Sequence, residues 1–201
     1  GESMGGAIAL SYAYLNKKAL LEGLILVSPA FWNFSKLNPI KSTLLNHLSY
    51  LLPNLRLSGK GLISVRPSDN LLMLEEYSND PKVVKKPNLK SLNGIVKLMD
   101  KSYKYAENYF LNPNFKTLVL VPLIDEIVPR KPLINIINNN LDKQILNKKI
   151  FFGVYERNFH MILRDIDGLR IIYEIKEWID NHENVKEFYS FKNSIKILQN
   201  A

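Results

Sequence analysis

Apolar and polar positions alternate along this chain in a pattern that predicts its elements. Gly6 to Leu15 is dense in small and apolar residues and closes on Asn16, Lys17 and Lys18, as a helix buried against a sheet does. GLILVSP, from Gly23 to Pro29, is a short continuous apolar run ended by a breaker, which predicts a strand buried on both faces. Lys116 to Asp125 and Lys148 to Tyr155 are β-branched or aromatic runs with polar edges and predict two more strands. Between them, Lys131 to about Leu141 reads as a helix that tolerates Pro132 in its first turn and is weakened at its end by Asn138, Asn139 and Asn140. Gly168 to Asp180 sets Leu169, Ile172, Tyr173, Ile175, Trp178 and Ile179 at the spacing of a helix packed on a sheet. Strand and helix alternate at both ends of the chain, so the expected class is α/β, a parallel sheet flanked by helices.

The middle, residues 31–113, breaks the alternation and predicts a mainly helical insertion. Helices are expected over Leu44 to Leu55, over Asp69 to Tyr77 with Asp69 as the cap, and over Gly94 to Phe110 with Ile95, Met99, Tyr103, Ala106 and Phe110 at helical spacing. Such an insertion after a strand end commonly lies as a lid over an active site, where its aromatic and aliphatic residues suit an apolar substrate. The competing reading is that Phe31, Trp32, Phe34 and the leucines form the insertion's own core. From His182 to Ala201 the chain is charged and irregular, which predicts a loosely held tail.

With 201 residues, 46% of them hydrophobic, the chain can bury a sizeable core, and one domain with an insertion is expected. The net charge of +8 raises nucleic acid or an anionic membrane surface, yet the lysines are spread without a dense basic block, and no nucleic-acid partner is expected. No cysteine occurs, which excludes disulfides and cysteine metal sites and leaves the redox compartment open. The apolar stretch from Leu20 to Trp32 is interrupted by Glu22, Ser28 and Pro29, so it is no membrane span. A cytoplasmic location with peripheral membrane contact is the expectation.

The chemistry enters with Gly1-Glu2-Ser3-Met4-Gly5, which fits G-x-S-x-G, the nucleophile elbow that holds a serine hydroxyl above a sheet edge on a sharp strand-to-helix turn. The strained turn asks for nearly bare residues two before and two after the serine, a demand Gly1 and Gly5 meet. Serine is a weak nucleophile near neutral pH, so the elbow predicts a histidine base and an orienting carboxylate, in the order Ser, acid, His. His160 follows the last predicted strand, while His47 lies in the insertion and His182 at an exposed helix end. Asp125 ends its strand at the edge where His160 would return. Glu126 is the nearest rival, and Asp165 and Asp167 read as caps for the following helix.

Taken with GLILVSP, the insertion stretch Tyr77-Ser78-Asn79-Asp80-Pro81-Lys82-Val83, the turn LIDEIVP and the segment FHMILRD, GESMGGAIAL resembles the α/β-hydrolases of the monoacylglycerol lipase and lysophospholipase group, which overlaps the serine aminopeptidases. The likeness spans nearly the whole chain, in the family's order. It implies a partial α/β-hydrolase fold, with residues 1–30 and 114–182 in the hydrolase core, 31–113 as the cap and 183–201 as a tail. It further implies Ser3 as nucleophile, Asp125 as acid, His160 as base and the backbone N–H of Met4 as one oxyanion donor, with no cofactor and no metal. The family differs at Glu2, where it often has histidine, at Pro122, where it usually has glycine, and at Phe159, where it has a small residue. In the family about half the sheet and a second oxyanion donor precede the elbow, so the amino-terminal strands are expected to be absent from this chain and an amino-terminal half is an expected partner.

Three functions follow from these readings. One is a serine hydrolase that cleaves a small ester or lipid by way of an acyl-enzyme. Another is a catalytically impaired part of a split or truncated hydrolase that needs its amino-terminal half. The third, resting on net charge alone, is a basic module for nucleic acid or anionic lipid.

Overall fold

The structure is a computed structural model that describes residues 1–58, 65–139, 149–180 and 191–200. Its elements in chain order are α1 (Met4–Leu15), β1 (Leu24–Val27), α2 (Phe34–Leu37), α3 (Pro39–Leu51), α4 (Leu71–Asn79), α5 (Leu89–Leu111), β2 (Thr117–Pro122), α6 (Arg130–Asn139), β3 (Ile150–Tyr155), a short 3-10 turn (Ile162–Arg164), α7 (Gly168–Asp180) and α8 (Phe191–Asn200). Among the described residues the sheet holds three parallel strands in the order β1-β2-β3. Leu24 stands beside Thr117 and Val27 beside Leu120, while Thr117 faces Ile150 and Pro122 faces Tyr155. The three predicted strands are therefore present, and each is joined to the next through helices, as parallel strands require.

β2 explains why its sequence is apolar at every position. Thr117, Leu118, Val119, Leu120, Val121 and Pro122 are all buried, because the central strand is covered on both faces. Val119 and Val121 point into a large core with α1, α5, α6 and α8, built on Leu10, Phe31, Tyr109, Phe110, Ile136 and Phe152. Leu118 and Leu120 point the other way, to Val27, Ile171 and Trp178, where α7 packs. Each such side chain contributes about 1.5–3 kcal/mol by leaving water.

The insertion is helical as expected, but its elements begin elsewhere. α4 is capped by Asn70, whose side chain accepts from Met73 N at 3.1 Å, while the Asp69 carboxylate instead accepts from Ile166 N at 2.9 Å. α5 starts at Leu89 under an Asn88 cap that accepts from Ser91 N, ahead of the predicted Gly94. Asparagine serves here as aspartate would, by offering its side-chain oxygen to an orphan N–H of the first turn. Of the positions singled out on α5, Ile95 is exposed, and Met99, Tyr103, Ala106 and Phe110 are buried. The carboxyl-terminal half of α5 belongs to the main core, since Tyr103, Ala106, Tyr109 and Phe110 pack with α1 and the sheet. On α3 the apolar residues mostly face outward, with Ile40, Leu44, Tyr50 and Leu51 exposed.

Residues 191–200 overturn the expectation of a loose tail. They form α8, which packs on β3 with Ile195 and Leu198 buried, and the Ser194 hydroxyl donates to Phe152 O at 2.6 Å. The apolar spacing of Ile195 and Leu198 outweighs the local charge. α6 is described as far as Asn139, and the remainder of the predicted helix, like the predicted start of β3 at Lys148, lies outside the described residues, as do residues 181–190. Replacing Leu198 with Ala should cost about 2–4 kcal/mol in urea unfolding, as for a core leucine; a change below about 0.5 kcal/mol, as at an ordinary surface position, would restore the loose tail.

Candidate active site

The turn after Gly1 carries the first unusual backbone. Ser3 has φ 52° and ψ −119°, a left-handed conformation that costs a side-chain-bearing residue about 1–3 kcal/mol and persists only where the surroundings hold it. Here Ser3 N donates to Val27 O at 2.8 Å, Val27 N donates to Gly1 O at 2.9 Å and Ala30 N donates to Ser3 O at 3.0 Å. The elbow is thereby fastened along β1. A Cβ on Gly1 would stand 2.4 Å from Gly5 O, and one on Gly6 would stand 3.1 Å from Gly1 O. A Cβ on Gly5 would meet nothing within 4 Å, which corrects the pairing of Gly1 with Gly5: the crowded glycines are Gly1 and Gly6. Met4 is the first residue of α1, so its N–H has no intrahelical acceptor.

Asp125 follows β2 in a turn that uses both of its carboxylate oxygens. Oδ1 accepts from Ile127 N and Val128 N, each at 2.8 Å, and Oδ2 lies 2.8 Å from His160 Nδ1. A carboxylate only accepts, so Nδ1 carries a ring proton, and in that tautomer Nε2 is the acceptor that faces Ser3. Ser3 Oγ lies 2.9 Å from that Nε2 and donates to it. The side chains of His160 and Asp125 are each 5% exposed, so the pair is shielded from water. The structure thus brings Ser3, His160 and Asp125 into one hydrogen-bonded line at the carboxyl edge of the sheet.

The rival residues sit elsewhere. Glu126 turns away and accepts from Arg66 N at 2.7 Å. His47 is exposed on α3, where its Nδ1 donates to Thr43 O, and His182 lies outside the described residues. Asp165 and Asp167 do not cap α7 with their side chains; both receive Asn158 Nδ2, and Asp165 also receives Phe159 N and Ser68 Oγ. Burial pushes the Asp167 pKa up, but hydrogen bonds from Arg170 and Asn158 and the Arg170 charge outweigh it and hold the group below its ordinary value. Sequence spacing carries no sign of Ser68, which joins this loop from about a hundred residues away.

The family's departures are accommodated. Pro122 closes β2, after which Leu123 N donates to Tyr155 O and Ile124 N to Asn158 O. Phe159 is buried with the Arg66 guanidinium 4.8 Å from its ring centroid, a cation–π contact. Glu2 bridges to Val27 through its backbone, and its Oε1 is buried without a hydrogen-bond partner among the described residues. Beside the elbow, Met4 packs against the cluster of Ala30, Val96 and Met99, as do Trp32, Phe34, Leu45 and Val128, so the insertion meets the core near Ser3. Among the described residues no helix is long and apolar enough to cross a membrane.

A serine on a strained turn between a parallel strand edge and a helix, facing a histidine and an aspartate at the same edge, defines the α/β-hydrolase class. Within that class the chain belongs to the family described as Serine aminopeptidase, S33, whose model matches residues 1–167. Among solved structures it is similar to a monoacylglycerol lipase from Paleococcus ferrophilus, with TM-score 0.71 and 24% identity over 91% of this chain and 67% of that one. It is also similar to a soluble variant of monoglyceride lipase from Saccharomyces cerevisiae in complex with a substrate analogue, with TM-score 0.67 and 20% identity over 92% of this chain and 62% of that one. A thermostable carboxyl esterase from Bacillus coagulans in complex with glycerol gives TM-score 0.63 and 23% identity over 90% of this chain and 63% of that one. At these identities the likeness is one of fold, and the chain spans about two thirds of the length of those proteins. No curated protein matches the sequence.

The two glycines of the motif should respond unequally to alanine in thermal unfolding of this chain. Gly1→Ala forces the backbone of Gly5 to move and should destabilise by at least about 1 kcal/mol, whereas Gly5→Ala fills open space in the first turn of a helix and should be neutral or stabilising by up to about 1 kcal/mol. Equal losses at both positions would contradict the packing described.

Proposed function

We propose that this protein is a serine hydrolase that cleaves carboxylic esters through an acyl-enzyme. The observation that carries the proposal is the unbroken line from Ser3 Oγ through His160 to Asp125, with heavy-atom separations of 2.9 and 2.8 Å. In this reading His160 Nε2 takes the Ser3 proton as Oγ attacks the ester carbonyl, and Asp125 holds the ring and stabilises the imidazolium that forms. The tetrahedral oxyanion accepts a hydrogen bond from Met4 N–H at the start of α1. His160 then returns the proton to the departing alcohol, leaving an acyl-enzyme, and activates a water molecule that hydrolyses it.

For the substrate we propose an ester with a long apolar acyl chain, a monoacylglycerol or a lysophospholipid. Support comes from the apolar cluster that joins Met4 to Val96, Met99 and Leu45, and from the named lipases among the similar folds. The exposed Ile40, Leu44, Tyr50 and Leu51 of α3 suit peripheral contact with a lipid surface.

A second reading rests on coverage, since the chain spans only 62–67% of those similar lipases. In that reading an amino-terminal half supplies further strands and a second oxyanion donor, whose lack costs about 3 kcal/mol of transition-state stabilisation, roughly a hundredfold or more in rate.

A fluorophosphonate probe should label Ser3, and Ser3→Ala should abolish both labelling and hydrolysis of a medium-chain p-nitrophenyl ester. Asp125→Asn should lower kcat by about 10⁴ by removing the acceptor that fixes the ring tautomer. Labelling that needs an added amino-terminal half supports the second reading. Labelling that persists in Ser3→Ala would refute the proposed nucleophile.

A further inference from the structure

The loop that carries His160 is tied to the insertion by a short strap, residues 66–70, that leads into α4. Met161 N donates to Pro67 O at 2.8 Å, Ile166 N donates to Asp69 Oδ1 at 2.9 Å and Asn70 Nδ2 donates to Arg164 O at 3.2 Å. Arg66 reaches the same region twice, through its N–H to Glu126 beside Asp125 and through its guanidinium over the Phe159 ring. The strap therefore touches the loops of the base and of the acid at once.

Asp165 is at the centre of this contact. It is 4% exposed, and no cation pairs with it among the described residues. A buried carboxylate is costly unless its lone pairs are filled, and these are filled by donors from two directions. Oδ2 accepts from Phe159 N at 2.8 Å and Asn158 Nδ2 at 3.1 Å, both in the histidine loop. Oδ1 accepts from Ser68 Oγ at 2.7 Å, in the strap, and Ser68 is itself fully buried. The amide before His160 is thus held by Asp165 and the amide after it by Pro67. Holding both neighbours fixes the backbone from which the imidazole projects.

We propose that Asp165 is a positioning residue for His160, and that Ser68 carries the hold of the cap insertion onto it. The inference rests on the Ser3, His160 and Asp125 assignment made above and deepens it: the base keeps its place only while the strap is seated. Asparagine can stand in for Asp165, with its carbonyl oxygen toward Phe159 N and its amide toward Ser68 Oγ, whose hydroxyl can accept instead. Alanine cannot, since it removes every one of these acceptors.

The test uses the full chain and two readouts. The first, independent of turnover, is the downfield proton resonance of His160 Nδ1–H, assigned by its loss in Asp125→Asn. Asp165→Ala should broaden or erase that signal and lower kcat for the p-nitrophenyl ester at least about tenfold with KM little changed, because a misplaced base slows chemistry and leaves binding intact. Asp165→Asn should restore both. Ser68→Ala, which removes a single hydroxyl, should weaken the signal and, in the folded protein, lower kcat by about three- to tenfold through the same misplacement. If Ser68→Ala leaves both readouts at the wild-type level, or a folded Asp165→Ala does, the proposal is overturned. Absence of the resonance from the wild type overturns it as well. A resonance that responds to these variants in a protein that neither labels nor turns over an ester would instead sink the proposed function and leave the positioning role standing.

Discussion

The in-register parallel pairing of β1, β2 and β3 is the constraint on which the site depends. Because the strands run the same way and are nearly flush, their carboxyl ends emerge along one edge. Ser3 is bonded to the end of β1, Asp125 follows β2, and His160 follows β3. A shift of one residue in either pairing would turn every side chain of that strand to the opposite face and carry its loop away from the others. The apolar runs that bury the sheet are therefore also what aims the polar residues. Stability and geometry come from the same side chains.

A second dependence runs through the insertion. The cap and the core share α5, whose early turns meet Met4 beside the elbow while its later turns lie in the main core with Tyr109 and Phe110. Tyr109 also anchors the helix to the sheet, through a hydroxyl 2.8 Å from Thr117 Oγ1. The chain between α3 and α4 returns to the histidine loop through residues 66–70. The cap is thus fastened at two sides of the site, by packing near the serine and by hydrogen bonds near the histidine.

What the sequence revealed and what it hid divide along a physical line. The three strands and α1 were legible because burial on both faces leaves unbroken apolar runs, and the order Ser3, Asp125, His160 followed from where those runs end. Helix starts differ from those the sequence suggests because Asn70 and Asn88 cap as well as aspartate does, and propensity alone does not choose among neighbours. Gly5 reads as crowded from its place in a motif, yet crowding depends on atoms that only the fold brings near. α8 is hidden in the sequence because its charged residues mask the spacing of Ile195 and Leu198. Asp165 looked like a helix cap since its local sequence suits one, while its partner Ser68 lies 97 residues away. Interactions of that span leave no periodic trace.

The shared helix also limits how this architecture can diversify. α5 is 23 residues long, roughly 35 Å at the rise of an α-helix, and it is continuous from the cap to the core. Inserting one residue between Val96 and Tyr103 would rotate one half against the other by about 100° and expose one of the two apolar stripes. Loops elsewhere in the cap can change length freely by comparison. Exchange of caps between relatives would therefore succeed only at junctions that preserve helical phase, so lineages with this layout should vary their lids by substitution along α5 and by insertion outside it.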